Sequence, residues 1–165
     1  MKLTPEEKAS ILIEALPYIK KFRGKVIVVK YGGKAMVDEE LKQNVIKDIS
    51  LLSLVGLKVV LVHGGGPQIN ELLERLGIKP EFKDGLRVTD KETMKIVKMV
   101  LAGQINKELV NLLSRQGISA LGLSGEDGAL LRAEQIAADL GFVGRVVEVK
   151  SRIITSLLND GFIPV

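Results

Sequence analysis

The fold predicted for this chain depends on one stretch, Lys58-Val-Val-Leu-Val-His63-Gly64-Gly65-Gly66-Pro67-Gln68-Ile-Asn-Glu-Leu-Leu73. The stretch begins as a short apolar run rich in valine, which is typical of a buried strand. After the three glycines, proline suits the first position of a helix, and the helical apolar pattern that follows ends at Gly77. The sequence therefore predicts a strand, a glycine turn and a helix in direct succession.

The glycine turn in this stretch has the properties of an anion site. Glycine lets the backbone approach a ligand with its N–H groups exposed, and the helix start adds free N–H groups and the positive end of the helix dipole. A plain glycine turn is the alternative that these residues leave open. The turn lacks the Gly-x-Gly-x-x-Gly motif, and Gly-x-x-x-x-Gly-Lys-Ser/Thr occurs nowhere in the chain, which disfavours a Rossmann dehydrogenase and a P-loop NTPase.

The composition excludes several kinds of site. The chain has no cysteine and one histidine, so we expect neither disulfides nor a histidine-based metal site. Aromatic residues make up only 4%, and lysines and glutamates are interspersed despite a net charge of +4, which favours a small anionic ligand over nucleic acid. No apolar run is long enough to cross a membrane, and the first residues lack an apolar signal core, so we predict a cytoplasmic protein without a membrane partner.

Two strand–helix units in succession predict a parallel sheet. Residues 25–31 have the pattern of a first strand, Gly32-Gly33 form a turn, and 38–55 have the pattern of a helix that leads to the strand at 58–63. Alternating strands and helices imply an α/β fold with parallel strands and right-handed crossovers. Because ligands of such sheets lie beyond the carboxyl ends of the strands, both glycine turns are expected to face one ligand region.

The remainder of the chain is predicted to continue this architecture. In order, the pattern predicts a hairpin at Asp84-Gly85, a long helix at 91–115, a third buried strand at 118–123, β-hairpins within 129–150, a short helix at 151–159 and a fourth strand from Phe162. Since a buried strand is an unusual place for a natural terminus, we expect this chain to be the first part of a longer protein.

The first residues predict an amphipathic helix ahead of the sheet. Thr4 and Glu7 have the spacing of a capping box, and Pro5 suits the first helical position. Pro17 lies inside the helix and is expected to kink it. Whether the apolar face of this helix packs on its own domain or on a partner stays open.

Four segments of the chain resemble the amino acid kinase family. They are Val-Val-Lys30-Tyr31-Gly32-Gly33, Val-His63-Gly64-Gly65-Gly66, Asp84-Gly85-Leu86-Arg87-Val88-Thr89 and Leu101-Ala102-Gly103-Gln104-Ile105-Asn106-Lys107. The first two segments belong to the family at large, and the last two resemble the members that phosphorylate N-acetyl-L-glutamate. The resemblance covers essentially the whole chain.

The resemblance implies an open αβα sandwich. It implies phosphoryl transfer from ATP, with Mg²⁺, to the side-chain carboxylate of N-acetyl-L-glutamate, a step of arginine biosynthesis. No tightly bound cofactor is implied. It implies a kinked helix at 1–24 and an acetylglutamate-binding domain at 25–165, with the nucleotide-binding half absent from this chain. It further implies a homo-oligomer, either a dimer or a hexamer linked through the N-terminal helix, and feedback inhibition by arginine.

By this resemblance, the first glycine turn handles phosphate. Lys30 would be the catalytic ammonium that stabilises the transferring phosphoryl group, on whose oxygens negative charge grows during the reaction. Gly32 and Gly33 would bind the nucleotide phosphates through their N–H groups. Without the resemblance, Lys30 would be interpreted as a strand-end lysine that reaches solvent.

The second glycine turn and the hairpin would bind the acceptor substrate by the same resemblance. Gly65 and Gly66 would hold acetylglutamate with their N–H groups near its reacting carboxylate. Arg87 would bind the α-carboxylate through its planar fork. The alternative for Arg87 is a surface ion pair with Glu81 or Asp84.

Other polar residues are interpreted as structural. His63, at a strand end, is expected to be a hydrogen-bonded core group, and Lys34 is expected to be solvated. Glu126 and Asp127 are expected to be turn residues rather than metal ligands, so no metal site is predicted.

Two other functions stay open. A sister kinase, such as an acetylaminoadipate kinase, would need room for one more methylene, which discriminates by only roughly 1–3 kcal/mol. A non-catalytic module could instead bind acetylglutamate at the glycine edge and oligomerise through the N-terminal helix.

Overall fold

The structure, a computed structural model, describes residues 3–165, apart from the side chain of Lys34. Its helices are α1 (Pro5–Phe22), α2 (Glu39–Leu54), α3 (Gly66–Arg75), α4 (Lys91–Lys98), α5 (Asn106–Arg115) and α6 (Arg152–Asn159), and a π-helical segment, Met99–Ile105, joins α4 to α5. Its strands are β1 (Val26–Tyr31), β2 (Lys58–His63), β3 (Phe82–Lys83), β4 (Leu86–Arg87), β5 (Ala120–Leu121), β6 (Leu131–Gln135), β7 (Gly144–Val149) and β8 (Ile163–Pro164). Among the described residues, no helix combines the length and the apolar character needed to cross a membrane.

The sheet consists of two parallel strand pairs that lie side by side. β1 and β2 pair along their whole length, from Val26 opposite Lys58 to Tyr31 opposite His63. β5 pairs in parallel with β8, and β8 packs beside β2. Two antiparallel hairpins, β3–β4 and β6–β7, form separate two-stranded sheets. The predicted α/β fold with a mainly parallel sheet is confirmed.

The core lies between one face of the sheet and helices α2, α3 and α5. Alternate strand residues enter the core, as the period of two in a strand requires, so Val59 and Leu61 are each 1% exposed. Val26, Val28 and Val62, on the other face, are 59%, 63% and 47% exposed. The helices contribute the apolar side chains that cover the inner face, chiefly Ile46, Ile49, Leu73, Leu109 and Leu113.

Helix α1 begins as predicted but buries none of its residues. The Thr4 hydroxyl oxygen accepts a hydrogen bond from the Glu7 N–H at 3.2 Å, and the Glu7 carboxylate accepts one from the Thr4 N–H at 2.7 Å. Leu12 and Ile13 are each 69% exposed. The helix continues through Pro17, and the kink there stays a prediction. The described chain therefore does not cover the apolar residues of α1.

The helix predicted at 91–115 contains a wider turn that sequence reasoning missed. The backbone N–H of Asn106 donates to the carbonyl of Leu101, five residues earlier. The wide turn brings Val100 and Ile105 to the core side together, with 1% and 4% of their surfaces exposed. In a regular α-helix, residues five apart point about 140° away from each other. The sequence does not reveal this wide turn, because Leu101 and Ile105 are four residues apart, which is an ordinary spacing in an α-helix.

Two predicted strand regions differ from the structure in their extent. The strand expected at 118–123 is reduced to β5, which ends before Gly122. A Cβ at Gly122 would lie 1.8 Å from the Oδ1 of Asn106, so a residue with a side chain does not fit where the strand ends. The hairpins expected within 129–150 are a single hairpin, β6 with β7, and its register shifts after Arg132.

The turn of the β6–β7 hairpin is attached to the backbone that follows β4. The Thr89 N–H donates to the Leu140 carbonyl at 3.1 Å, and the Thr89 carbonyl accepts from the Phe142 N–H at 2.7 Å. Between these two partners, Gly141 has a φ of +66°, and a Cβ there would lie 2.1 Å from the Thr89 carbonyl oxygen. Only glycine therefore allows this close backbone contact.

We expect Gly141→Ala to lower the free energy of unfolding by about 2–4 kcal/mol, because a positive φ and a clash with backbone atoms act together. Urea unfolding measures the change through the midpoint at constant m-value. Gly161→Ala is the matched control, since Gly161 has a φ of +80° but open space around its Cβ position, and should lose only about 1 kcal/mol. Equal losses in the two variants would contradict the importance of the contact with Thr89.

Candidate functional site

The two glycine turns lie side by side at the carboxyl edge of β1 and β2. The N–H of Gly64 donates to the carbonyl of Tyr31, the last residue of β1, at 3.1 Å. Gln68, in the first turn of α3, donates through its side-chain amide to the carbonyl of Met36 at 3.3 Å. Since Met36 ends the short helical turn that begins at Gly33, both glycine turns face one region, as the sequence predicted.

Glycines of both turns leave room for a ligand to approach the backbone. A Cβ at Gly32, Gly33 or Gly66 would meet no atom within 4 Å. Gly66 is the first residue of α3, and the first N–H groups of a helix lack partners within it. The N–H of Gly65 donates no hydrogen bond to another described residue. Free N–H groups and open space at a helix start suit an anionic group.

Lys30 lies at the same edge. It pairs with Val62 in the β1–β2 ladder, one position before the strands end. Its side chain is exposed, as are Val26 and Val28 on the same face of β1. The structure therefore places Lys30 beside the turns, and the catalytic role assigned to it stays a prediction.

The guanidinium of Arg87 is held on two sides and has a free donor. Nη2 donates to the Oδ1 of Asn70 at 2.6 Å, and the guanidinium lies over the ring of Phe82, 4.6 Å from its centroid. Nη1 is buried without a hydrogen-bond partner among the described residues. Burial lowers the pKa of Arg87, although an arginine stays charged in proteins. Its partner is thus the neutral Asn70 rather than Glu81 or Asp84, the ion-pair alternatives.

The contact between Arg87 and Asn70 brings the guanidinium near the second glycine turn. Asn70 and Gly66 are four residues apart in α3 and therefore lie on the same face of the helix, with about 5–6 Å between neighbouring positions. The sequence analysis did not assign a role to Asn70, although its place on that face was a signal. Asn70 therefore places the guanidinium about one helical turn from the free N–H groups at the helix start.

The second glycine turn packs against the π-helical segment. A Cβ at Gly65 would lie 2.5 Å from Cδ2 of Leu101 and 2.6 Å from Cδ1 of Ile105. A larger residue at this position would therefore push both side chains away. Wide helical turns of this kind occur often at functional sites. The sequence predicted Gly65 as a ligand residue, but its tight packing depends on the unpredicted π-helical segment.

Asn106 is a buried polar residue whose role sequence reasoning missed. It is only 2% exposed. Its Nδ2 donates to the carbonyls of Val165 at 2.8 Å and Leu123 at 3.4 Å, and its Oδ1 accepts from the Lys107 ammonium at 3.2 Å. Asn106 therefore joins the ends of the third and fourth strands. The available signal was a polar residue next to the core position Ile105.

His63 is half-buried and hydrogen-bonded, in agreement with the structural role predicted for it. Its Nδ1 lies 2.8 Å from the carbonyl oxygen of Gly64, and its Nε2 lies 3.5 Å from the Nδ2 of Asn106. The predicted solvation of Lys34 concerns a side chain outside the described part.

Asp127 is a turn residue, as predicted. Its carboxylate accepts hydrogen bonds from the backbone N–H of Ser124 at 2.6 Å and from the Ser124 hydroxyl at 2.9 Å. These bonds, the backbone one foremost, lower the pKa of the Asp127 carboxyl. Glu126 forms an ion pair with Lys98. Within residues 3–165 as described, no group of three or more His, Cys, Asp or Glu side chains could hold a metal ion.

Comparison with known proteins gives consistent relatives. Residues 25–165 match the amino acid kinase family. The acetylglutamate kinase of Thermoanaerobacter pseudethanolicus is 57% identical over 160 residues, which cover 96% of this chain and 54% of that protein. The acetylglutamate kinase of Syntrophus aciditrophicus is 51% identical over 174 aligned residues, covering 98% of this chain and 59% of that protein. The chain thus spans little more than half the length of these relatives.

Solved structures share the fold. The crystal structure of smu.665 from Streptococcus mutans UA159 superposes with a TM-score of 0.72 at 31% identity, covering 84% of this chain and 56% of that one. An N-acetylglutamate synthase from Neisseria gonorrhoeae, complexed with coenzyme A and N-acetyl-glutamate, superposes with a TM-score of 0.78 at 24% identity, covering 94% of this chain and 36% of that one. At that identity, the second likeness concerns the fold alone.

Proposed function

Because the chain belongs to the amino acid kinase family, we propose that it is the acetylglutamate-binding part of a cytoplasmic kinase. The proposed reaction transfers a phosphoryl group from ATP to the side-chain carboxylate of N-acetyl-L-glutamate, a step of arginine biosynthesis. The observation that carries the proposal is that Asn70, one turn into α3 from the free N–H groups at the helix start, holds the guanidinium of Arg87. The names of relatives at 57% and 51% identity support the choice of substrate.

The proposed substrate matches the two anion-binding elements. N-acetyl-L-glutamate carries two carboxylates. In our proposal the N–H groups of Gly65 and Gly66 hold the reacting carboxylate, and Arg87 binds the α-carboxylate through Nη1 while Nη2 stays on Asn70. A charge-assisted hydrogen bond from a guanidinium satisfies the buried donor and fixes the orientation of the ligand.

ATP, with Mg²⁺ as part of the substrate complex, would meet the first glycine turn. In our proposal Gly32 and Gly33 donate N–H groups to its phosphates, and the open space at both positions lets the phosphates approach. Lys30 would stabilise the charge on the transferring phosphoryl group. Positioning and charge stabilisation supply nearly all of the catalysis in such reactions. The other nucleotide contacts belong, in this proposal, to a nucleotide-binding half outside residues 25–165.

The exposed helix α1 is proposed to link subunits of a homo-oligomer, in an arrangement that arginine inhibits. We expect deletion of residues 1–22 from the complete protein to convert a hexamer to a dimer, because the deletion removes the exposed apolar face that includes Leu12 and Ile13. Light scattering coupled to size exclusion measures the mass. Lys8→Ala, a change at an exposed polar position of α1, serves as the control and should leave the mass unchanged. An unchanged mass after deletion would assign α1 to packing on its own subunit.

The function is tested by measuring ADP release that depends on N-acetyl-L-glutamate, with the complete protein and with this chain alone. The complete protein should be active and should prefer N-acetyl-L-glutamate to N-acetyl-L-2-aminoadipate. This chain alone should bind N-acetyl-L-glutamate in calorimetry without phosphorylating it, since two turns and one lysine do not position both substrates.

Three results would contradict this proposal. An inactive complete protein would exclude the kinase reaction, and a preference for the longer acid would identify the sister kinase. Turnover by this chain within about tenfold of the complete protein would contradict the assignment of the missing catalytic groups to a second half.

A further inference from the structure

The single histidine of the chain bridges the second glycine turn and the buried Asn106. The Nδ1 of His63 lies 2.8 Å from the carbonyl oxygen of Gly64, and its Nε2 lies 3.5 Å from the Nδ2 of Asn106. Each imidazole nitrogen donates or accepts according to the proton it carries. The position of that proton follows from the groups that surround Asn106.

The carboxamide of Asn106 has only one orientation that satisfies its neighbours. Its nitrogen end faces the carbonyl oxygens of Val165 and Leu123, at 2.8 Å and 3.4 Å, and these can only accept. Its oxygen end faces the ammonium of Lys107 at 3.2 Å, which can only donate. Turning the carboxamide around would set oxygen against oxygen and nitrogen against nitrogen. The group that Asn106 presents to His63 is therefore its amide nitrogen, which cannot accept a hydrogen bond.

The two neighbours of His63 determine which of its ring nitrogens carries the hydrogen. Because the amide nitrogen of Asn106 cannot accept, a hydrogen on the Nε2 of His63 would have no acceptor there. Because the carbonyl of Gly64 only accepts, the Nδ1 of His63 must carry the hydrogen. Both neighbours thus favour the tautomer that carries its hydrogen at Nδ1 over the one that carries it at Nε2.

We propose that His63 is a positioning residue of the glycine turn, held by Asn106 in the Nδ1–H tautomer, which orients the peptide between Gly64 and Gly65 toward the ligand. In a trans peptide the C=O and N–H groups point in opposite directions. When the Nδ1–H of His63 holds the carbonyl of Gly64, the N–H of Gly65 is turned the other way. That a carboxylate of N-acetyl-L-glutamate accepts this N–H rests on the proposed function, whereas the tautomer does not.

His63 holds the peptide between Gly64 and Gly65, whose neighbouring groups are already fixed by other contacts. On one side, the N–H of Gly64 is bonded to the carbonyl of Tyr31 at 3.1 Å. On the other side, the Cβ position of Gly65 lies 2.5 Å from Leu101, so Gly65 has little room to move. In the peptide between Gly64 and Gly65, the carbonyl of Gly64 has His63 as its hydrogen-bond partner.

The first test reads the tautomer directly. Because the chain has one histidine, long-range ¹H–¹⁵N NMR spectra of the protein labelled on histidine nitrogen report His63 alone, and the two neutral tautomers give different patterns. We expect the Nδ1–H pattern at neutral pH. Asn106→Asp replaces the donor with an acceptor of the same shape and should abolish that pattern. The control Asn111→Asp, at an exposed position of α5, should retain it.

The second test replaces His63 with asparagine or glutamine, whose side-chain amide nitrogen takes the place of one imidazole nitrogen. The side-chain nitrogen of asparagine occupies the place of Nδ1, and that of glutamine reaches the place of Nε2. Loss of the hydrogen bond that orients the turn is expected to weaken binding by up to about tenfold. In calorimetric titration with N-acetyl-L-glutamate, His63→Gln should therefore bind about tenfold more weakly, whereas His63→Asn should bind within about threefold of the unchanged protein.

Each outcome decides the proposal. An Nε2–H or imidazolium pattern in the unchanged protein, or an Nδ1–H pattern that survives Asn106→Asp in a folded variant, would overturn it. Equal affinities of His63→Gln and His63→Asn would overturn the positioning role. If the unchanged protein does not bind N-acetyl-L-glutamate, the proposed function fails, and the NMR pattern alone then decides the assignment of His63.

Discussion

Lys30→Ala should lower the turnover number of the complete protein by at least about a hundredfold while nearly preserving the apparent affinity for N-acetyl-L-glutamate. The physical reason is that negative charge on the phosphoryl oxygens grows in the transition state, so a fixed cation stabilises that state more than the bound substrates. Lys30 has the required place, one position before the end of β1 and beside both glycine turns. Steady-state rates at saturating ATP, with N-acetyl-L-glutamate varied, separate the two parameters.

The other end of β1 supplies a matched control for this experiment. Lys25 is also exposed and directly precedes the strand, so Lys25→Ala should leave turnover within about twofold, as surface substitutions generally do. Lys30→Arg keeps the charge in a different shape and should restore only part of the rate. If Lys30→Ala reduced turnover less than about tenfold, Lys30 would be a strand-end lysine without a catalytic role.

Local chemistry explains why the first half of the fold could be predicted from sequence. The run at 58–62 and the glycines that follow it have patterns that depend on neighbours in the chain, namely burial, turn geometry and helix capping. The parallel pairing of β1 with β2 then follows from connection rules, and it places both glycine turns at one edge. Thr4 and Glu7 form the predicted capping box for the same reason, because their partners are three residues apart.

The features that were missed depend on residues far apart in the chain. The apolar pattern does not reveal the π-helical segment, because Leu101 fits the spacing of an ordinary α-helix. The segment packs against Gly65, which is far away in the chain. The role of Asn106 was missed for the same reason, since its partners are the carbonyls of Leu123 and Val165. For the candidate site, the resemblance identified Arg87, but the neutral partner Asn70 and the unsatisfied Nη1 could be found only in three dimensions.

Arg87→Ala should weaken the apparent affinity for N-acetyl-L-glutamate by roughly 30- to 150-fold, since losing a charge-assisted contact typically costs about 2–3 kcal/mol. The structure gives a specific reason to expect a large effect. The guanidinium is already fixed by Asn70 and by the ring of Phe82, so little ordering remains to be done when a carboxylate binds. The buried Nη1 has no hydrogen-bond partner among the described residues, so a carboxylate that bonded to it would satisfy a buried donor. The apparent affinity for ATP should change by less than about threefold, since the proposed phosphate contacts lie in the other glycine turn.

Two variants separate the specific role of Arg87 from a general effect of positive charge. Arg75 lies in the last turn of α3 with its side chain exposed, and Arg75→Ala should change neither affinity by more than about twofold. Arg87→Lys keeps the charge but lacks the planar fork that reaches Asn70 and a carboxylate together, so it should recover only part of the lost affinity. Full recovery with lysine would show that charge alone suffices at this position. An unchanged affinity for N-acetyl-L-glutamate in a folded Arg87→Ala protein would remove Arg87 from the substrate site and leave the helix start of α3 as the only proposed carboxylate-binding element.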